Sequence, residues 1–205
     1  MSLSAPSSNA SLKPHLVLTL FPDDPSNTSL FLATGALLYS VRTDNATGTT
    51  RIHRMRGISS TGAKRKPKEV ATLCTAAGFG EDVVVCAERG PLLLRNWLRV
   101  QTVSTRKCEE AYAFEDELNR RYEWRGRWNQ SQWLLELFAM DAPGAPIARY
   151  TRSYFDFEYD SGRAPPQEVD ATLTLATRAI ELQDLCVASC LFLERTQRPG
   201  MMDIN

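Results

Sequence analysis

The sequence predicts an all-β domain with one long helix: an antiparallel β-barrel of about 10–12 strands around a buried hydrophobic C-terminal helix. Three observations lead there. Residues 185–193, Leu-Cys-Val-Ala-Ser-Cys-Leu-Phe-Leu, carry no charge on any side, and a helix that is apolar all round has to be enclosed. Nearly everything before it breaks into short apolar runs separated by Pro, Gly, Asn and Asp, the punctuation of an all-β chain. A sheet of that many strands exposes long edges unless it curls shut. The two halves of the chain therefore complement each other: strands that lack an apolar filler, and a helix that lacks an apolar coat.

Taken in order, residues 1–12 read as a disordered tail and residues 13–198 as one domain, with 199–205 a second short tail. Residues 15–21 form a strand, and 22–27 a turn. Residues 29–42 form a long strand or a bent pair, with Gly35 as a bulge. The turn 44–48 leads into a strand over 50–56. Residues 57–68 are a basic loop. Short strands follow at 70–73 and 82–87, while 92–100 is an apolar run too short to assign. A hairpin joins 112–114 to 121–125, and 132–140 and 147–159 complete the strands. The final helix is expected over 170–195, introduced by Pro165-Pro166, capped by Asp170 and closed by Pro199-Gly200.

Composition narrows the function. Lys+Arg and Asp+Glu each total 24 in 205 residues, so no global field draws the chain to nucleic acid, and a nucleic-acid partner is not expected. The longest uncharged run of the last helix is far short of the roughly 20 residues that cross a bilayer, and no transmembrane segment is expected. The N-terminus lacks the basic start and apolar stretch of a signal peptide. Five cysteines, Cys74, Cys86, Cys108, Cys186 and Cys190, then suggest reduced thiols in the cytoplasm.

Several segments carry a resemblance. Arg120-Arg-Tyr-Glu-Trp-Arg-Gly126, Glu136-Leu-Phe-Ala-Met-Asp141, Pro146-Ile-Ala-Arg-Tyr150 and Val169-Asp170 with the apolar run behind it resemble, in order and spacing, the tubby C-terminal-like superfamily. That superfamily includes tubby-like proteins, phospholipid scramblases and LURP-one-related proteins. The chain is also similar to a family of small uncharacterised proteins from mushroom-forming fungi. The resemblance implies a closed barrel around a hydrophobic helix and no shared catalytic residues. In tubby-like members it implies phosphoinositide binding through basic residues. The membrane-associated and calcium-binding stretches of scramblases have no counterpart after the helix.

Three residue groups are candidates for function. Arg51, His53, Arg54 and Arg56 lead into Lys64, Arg65, Lys66 and Lys68; such a cluster can grip the phosphates of a lipid headgroup, or it can be a solvated loop. Arg178, Glu181 and Asp184 share a stripe of the predicted helix, as a buried polar network or a carboxylate pair able to move protons. The aromatics of the second half, Tyr122 and Trp124 among them, are either core or the lining of an apolar ligand pocket. His15 and His53 lie on separate strands with no ligand spacing around them, so no metal is expected, and no cofactor-binding motif is present. The reading that follows is a non-enzymatic binder of an anionic lipid headgroup or small amphiphile through the basic patch. The alternatives are a protein-interaction module and an enzyme using Glu181 and Asp184 inside the barrel.

Overall fold

The computed structural model describes residues 12–56, 66–75, 81–86, 90–101, 110–129, 132–156 and 167–198. The strands are β1 (Leu16–Phe21), β2 (Ser29–Leu32), β3 (Leu37–Asp44), β4 (Thr49–Arg54), β5 (Lys68–Cys74), β6 (Val83–Cys86) and β7 (Leu92–Leu93), then helix α1 (Leu94–Trp97). After it come β8 (Arg99–Gln101), β9 (Glu110–Glu115), β10 (Arg121–Asn129), β11 (Gln132–Ala139), β12 (Ala148–Thr151), β13 (Tyr154–Asp156), β14 (Gln167–Val169) and β15 (Ala171–Leu175). Helices α2 (Thr177–Ile180) and α3 (Gln183–Gln197) finish the chain. Among the described residues no helix is long and apolar enough to cross a membrane.

Thirteen strands make one antiparallel sheet in the order β7-β6-β5-β4-β3-β2-β1-β15-β12-β11-β10-β9-β8, and β13 pairs with β14 alone. The sheet curls around α3. Tyr39 on β3 donates to Asp184 at 2.6 Å, Trp124 on β10 to Ser189 at 2.9 Å, and Trp133 on β11 to Glu194 at 3.0 Å. Trp97 of α1 meets Phe192 edge-on at 6.2 Å between ring centres. Residues 186–194 are all buried, so the expected enclosure of an apolar helix holds. The expected closure is not seen among the described residues: the order starts at β7 and ends at β8, and these two are not paired. They are neighbours in sequence, with α1 between them.

Alternation decides which side chains meet the helix. On β10, Tyr122 and Trp124 are buried and point inward, while Arg125 and Arg127 point out. Outside, Arg125 bonds Glu123, and Glu136 on β11 takes both Arg127 and Arg149. Charge ladders of this kind let one face of an antiparallel sheet meet water. Gly126 belongs to the inner face. A Cβ there would stand 2.5 Å from Trp133 Cη2 and 2.7 Å from its Cζ2. Gly126→Ala is expected to destabilise by about 1–3 kcal/mol, checked by urea unfolding.

Three local expectations change. The long helix of 170–195 is in fact a strand, a short helix and a long helix. Thr172 and Thr174 alternate with buried Ala171, Leu173 and Leu175, a period of two. β1 and β12 flank this strand in register, so it lies mid-sheet and Asp170 caps nothing. Residues 29–42 are the bent pair β2 and β3, with Gly35 at φ 79° in their connecting turn rather than in a bulge. The unassigned run 92–100 holds β7, α1 and the start of β8.

Candidate functional site

Each end of α3 opens into a cleft. The larger, about 640 Å³, lies at the C-terminal end, beside α1, on either side of which β7 and β8 are unpaired with each other among the described residues. Its walls are Leu94 and Arg95 of α1, Leu98 just after it, Val100 of β8, Tyr112 of β9, Trp128 and Trp133 of β10 and β11, Arg152, and Phe192, Leu193, Thr196 and Gln197 of α3. Val100 is 67% exposed and Trp128 54%, a high degree for apolar side chains this large. Trp128 tilts against Trp133 at 5.3 Å between ring centres, and the Arg152 guanidinium lies 5.4 Å over the Trp133 ring.

An ionic network supports this cleft from below. Glu194 is fully buried and accepts from Trp133 Nε1 at 3.0 Å, Arg152 Nε at 2.7 Å and Arg198 Nε at 3.2 Å. Arg198 continues to Asp23 Oδ1 at 2.6 Å and to the Tyr150 hydroxyl at 2.9 Å. Asp23 also accepts from the backbone N–H and hydroxyl of Ser153. Two carboxylates thus meet two guanidiniums, and buried charges persist when matched in this way. Burial alone pushes the Asp23 carboxyl up, but the Ser153 bonds and the Arg198 charge outweigh it and hold the group below the usual carboxylate range. A depressed carboxylate contributes stability above its unfolded pKa and loses it as pH falls through the folded value. Thermal melts are therefore expected to lose stability as pH falls below about 4, and Asp23→Asn to flatten that slope while lowering stability at pH 7.

The smaller cleft, about 390 Å³, lies at the N-terminal end of α3. It is lined by the cations Arg54, Lys68 and Arg120, the carboxylates Asp116, Glu117, Glu181 and Asp184, and Gln183, with an apolar floor that includes Ile180, Leu182 and Leu185. Asp184 accepts from Tyr39 at 2.6 Å and Arg54 at 3.1 Å, with Lys68 at 3.9 Å. Asp116 is saturated by the backbone of Leu118 and Arg120, the Arg120 side chain and the Tyr122 hydroxyl. Burial raises the Asp116 carboxyl, but Arg120 foremost among these donors brings it below its ordinary value.

The basic cluster is not one patch. Arg51 and His53 leave the outer face of β4 and lie 3.9 Å and 3.7 Å from Glu69. Arg54 turns the other way, into the smaller cleft, as does Lys68. Arg56 and Lys66 are exposed, and Lys64 and Arg65 lie outside the described residues. The predicted stripe also separates. Arg178 on α2 bonds Asp141 rather than Glu181, Glu181 bonds Arg120 at 3.2 Å and is exposed, and Asp184 lies on α3. Among the described residues no group of three or more His, Cys, Asp or Glu could hold a metal ion.

Residues 23–199, well over half of the chain, match a family of unknown function (DUF6593). The chain belongs to this family. No curated protein and no solved structure matches it. The matched span covers both clefts and the whole ionic network. It begins just after β1, although β1 lies inside the sheet between β2 and β15.

Sequence patterning did not single out Glu194, Arg152 and Arg198. One signal was available: Glu194 is the first charge after the apolar run 185–193, one position into what is still buried helix. The larger cleft gave no comparable signal, because its walls are drawn singly or in small groups from α1, β8 to β11 and α3.

Proposed function

We propose that this protein is a non-catalytic binding module of tubby-like architecture whose ligand is a small anionic amphiphile, held in the larger cleft. The observation that carries the reading is the make-up of that cleft. Its volume falls within the range of small-molecule sites, roughly 300–1,000 Å³. Leu94, Leu98, Val100, Phe192 and Leu193 offer an apolar bed, Trp128 forms a rim, and Arg95 and Arg152 supply positive charge. Arg95 is paired with Glu81 at 2.8 Å but is 71% exposed. Such surface pairs contribute little, so Arg95 can exchange Glu81 for a ligand's head at small cost. The open side between β7 and β8 serves as the entrance.

Titration calorimetry with dodecanoate and dodecyl phosphate, below their micellar concentrations, tests this. Saturable binding with a negative heat-capacity change is expected, because apolar surface is buried. Val100→Glu, at an exposed site that leaves the core intact, is expected to weaken it tenfold or more, equivalent to about 1.4 kcal/mol. No saturable heat with the wild-type chain overturns the reading.

A cytoplasmic setting, peripheral at membranes, accords with the unbridged Cys74, Cys186 and Cys190. Capture of a lipid headgroup by the basic cluster is the second reading. It rests on Arg56 and Lys66, which stand exposed on either side of residues 57–65, and co-sedimentation with phosphoinositide vesicles tests it. Catalysis by Glu181 and Asp184 has less support, since each carboxylate is held by its own cation.

A further inference from the structure

We propose that the smaller cleft is a second binding site, built for a small zwitterion of the α-amino-acid type. It lies at the other end of α3 from the amphiphile site and does not depend on it. The first observation is an unsatisfied donor. Gln183 lines the cleft and is only 5% exposed. Its Oε1 accepts from Arg54 Nη2 at 3.5 Å, which fixes the sense of the amide, since a flip would set two donors against each other. Its Nε2 is buried without a hydrogen-bond partner. A buried donor left unpaired costs free energy, and a native protein that keeps one has a reason for it. In the same turn no side chain caps α3, and Asp184 is the one negative group of its first turn.

The second observation is the charge around that donor. Carboxylates and cations both line the cleft, so a bare anion meets Glu181 and Asp184, and a bare cation meets Arg54 and Lys68. A ligand with both charges fits both walls. Its carboxylate takes the Gln183 N–H beside Arg54 and Lys68. Its ammonium faces Glu181, whose Oε2 bonds Arg120 at 3.2 Å while the side chain stays 63% exposed, and whose Oε1 forms no described bond. The apolar floor of Ile180, Leu182 and Leu185 receives a short side chain.

The test is a calorimetric screen of the full-length chain against the standard L-amino acids, with inorganic phosphate and methylamine as single-charge probes. At least one amino acid is expected to bind saturably, and both single-charge probes at least tenfold more weakly. Gln183→Leu removes the donor and is expected to weaken binding about tenfold. Glu181→Gln, at an exposed position that does not threaten the fold, is expected to weaken it similarly. Neither change should alter dodecyl phosphate binding, so this site and the amphiphile site can fail separately. The proposal is overturned if no amino acid binds, in which case water satisfies Gln183, or if phosphate binds as tightly as the best amino acid.

Discussion

Replacing Glu194 by alanine is expected to destabilise the protein by about 3–5 kcal/mol, the usual cost of removing one partner from a buried ion pair. The carboxylate is fully buried and lies within 3.2 Å of nitrogens from Trp133, Arg152 and Arg198. Without it, Arg198 keeps Asp23 as its one counter-charge among the described residues, Arg152 loses the carboxylate it bonds, and the Trp133 indole N–H loses its acceptor. Glu194→Gln restores a polar side chain but not the charge, so most of the loss should remain. Glu181→Ala gives the contrast: its pair with Arg120 is exposed, and the expected cost is about 0–1 kcal/mol. Urea unfolding of the three variants beside the wild type checks the ordering.

Trp124→Ala is expected to cost about 3–5 kcal/mol, the range for deleting a buried aromatic. Trp124 is among the largest fully buried side chains. It reaches from mid-β10 to the middle of α3, where its indole donates to Ser189 Oγ at 2.9 Å. Ser189 turns its own hydroxyl to Leu185 O at 2.7 Å. Loss of the indole therefore opens a cavity between the sheet and the helix that the sheet encloses. Trp124→Phe keeps a ring, losing that bond and only part of the buried volume, and should cost clearly less. Guanidinium or urea denaturation distinguishes the two.

The enclosed helix was legible because its cause is local: nine uncharged residues in a row leave no face of a helix fit for water. The alternating strands were legible for the same reason. What misled was contiguity. Thr172-Leu173-Thr174-Leu175 leads directly into the helical segment, and helical periodicity can be fitted across it. Only the pairing with β1 and β12, whose residues are remote in sequence, shows a strand. The basic cluster failed differently. Arg51, His53 and Arg54 are close in the chain, yet a strand turns successive residues to opposite faces, so Glu69 meets two of them and Asp184 the third. The stripe Arg178, Glu181 and Asp184 requires one continuous helix, and the break between α2 and α3 gives each residue a different partner. The larger cleft depends on where the sheet stops, between β7 and β8, and no local pattern encodes that.

The most direct test of the amphiphile site is paramagnetic broadening. Amide and indole spectra of the labelled full-length chain are recorded with a fatty acid bearing a nitroxide on its tail, below its micellar concentration. Saturable broadening at Val100, Thr196 and the Trp128 indole, with Arg51, Arg56 and Lys66 unaffected, is the expected result. Broadening centred on Arg56 and Lys66 would contradict the account and move the ligand to the basic cluster.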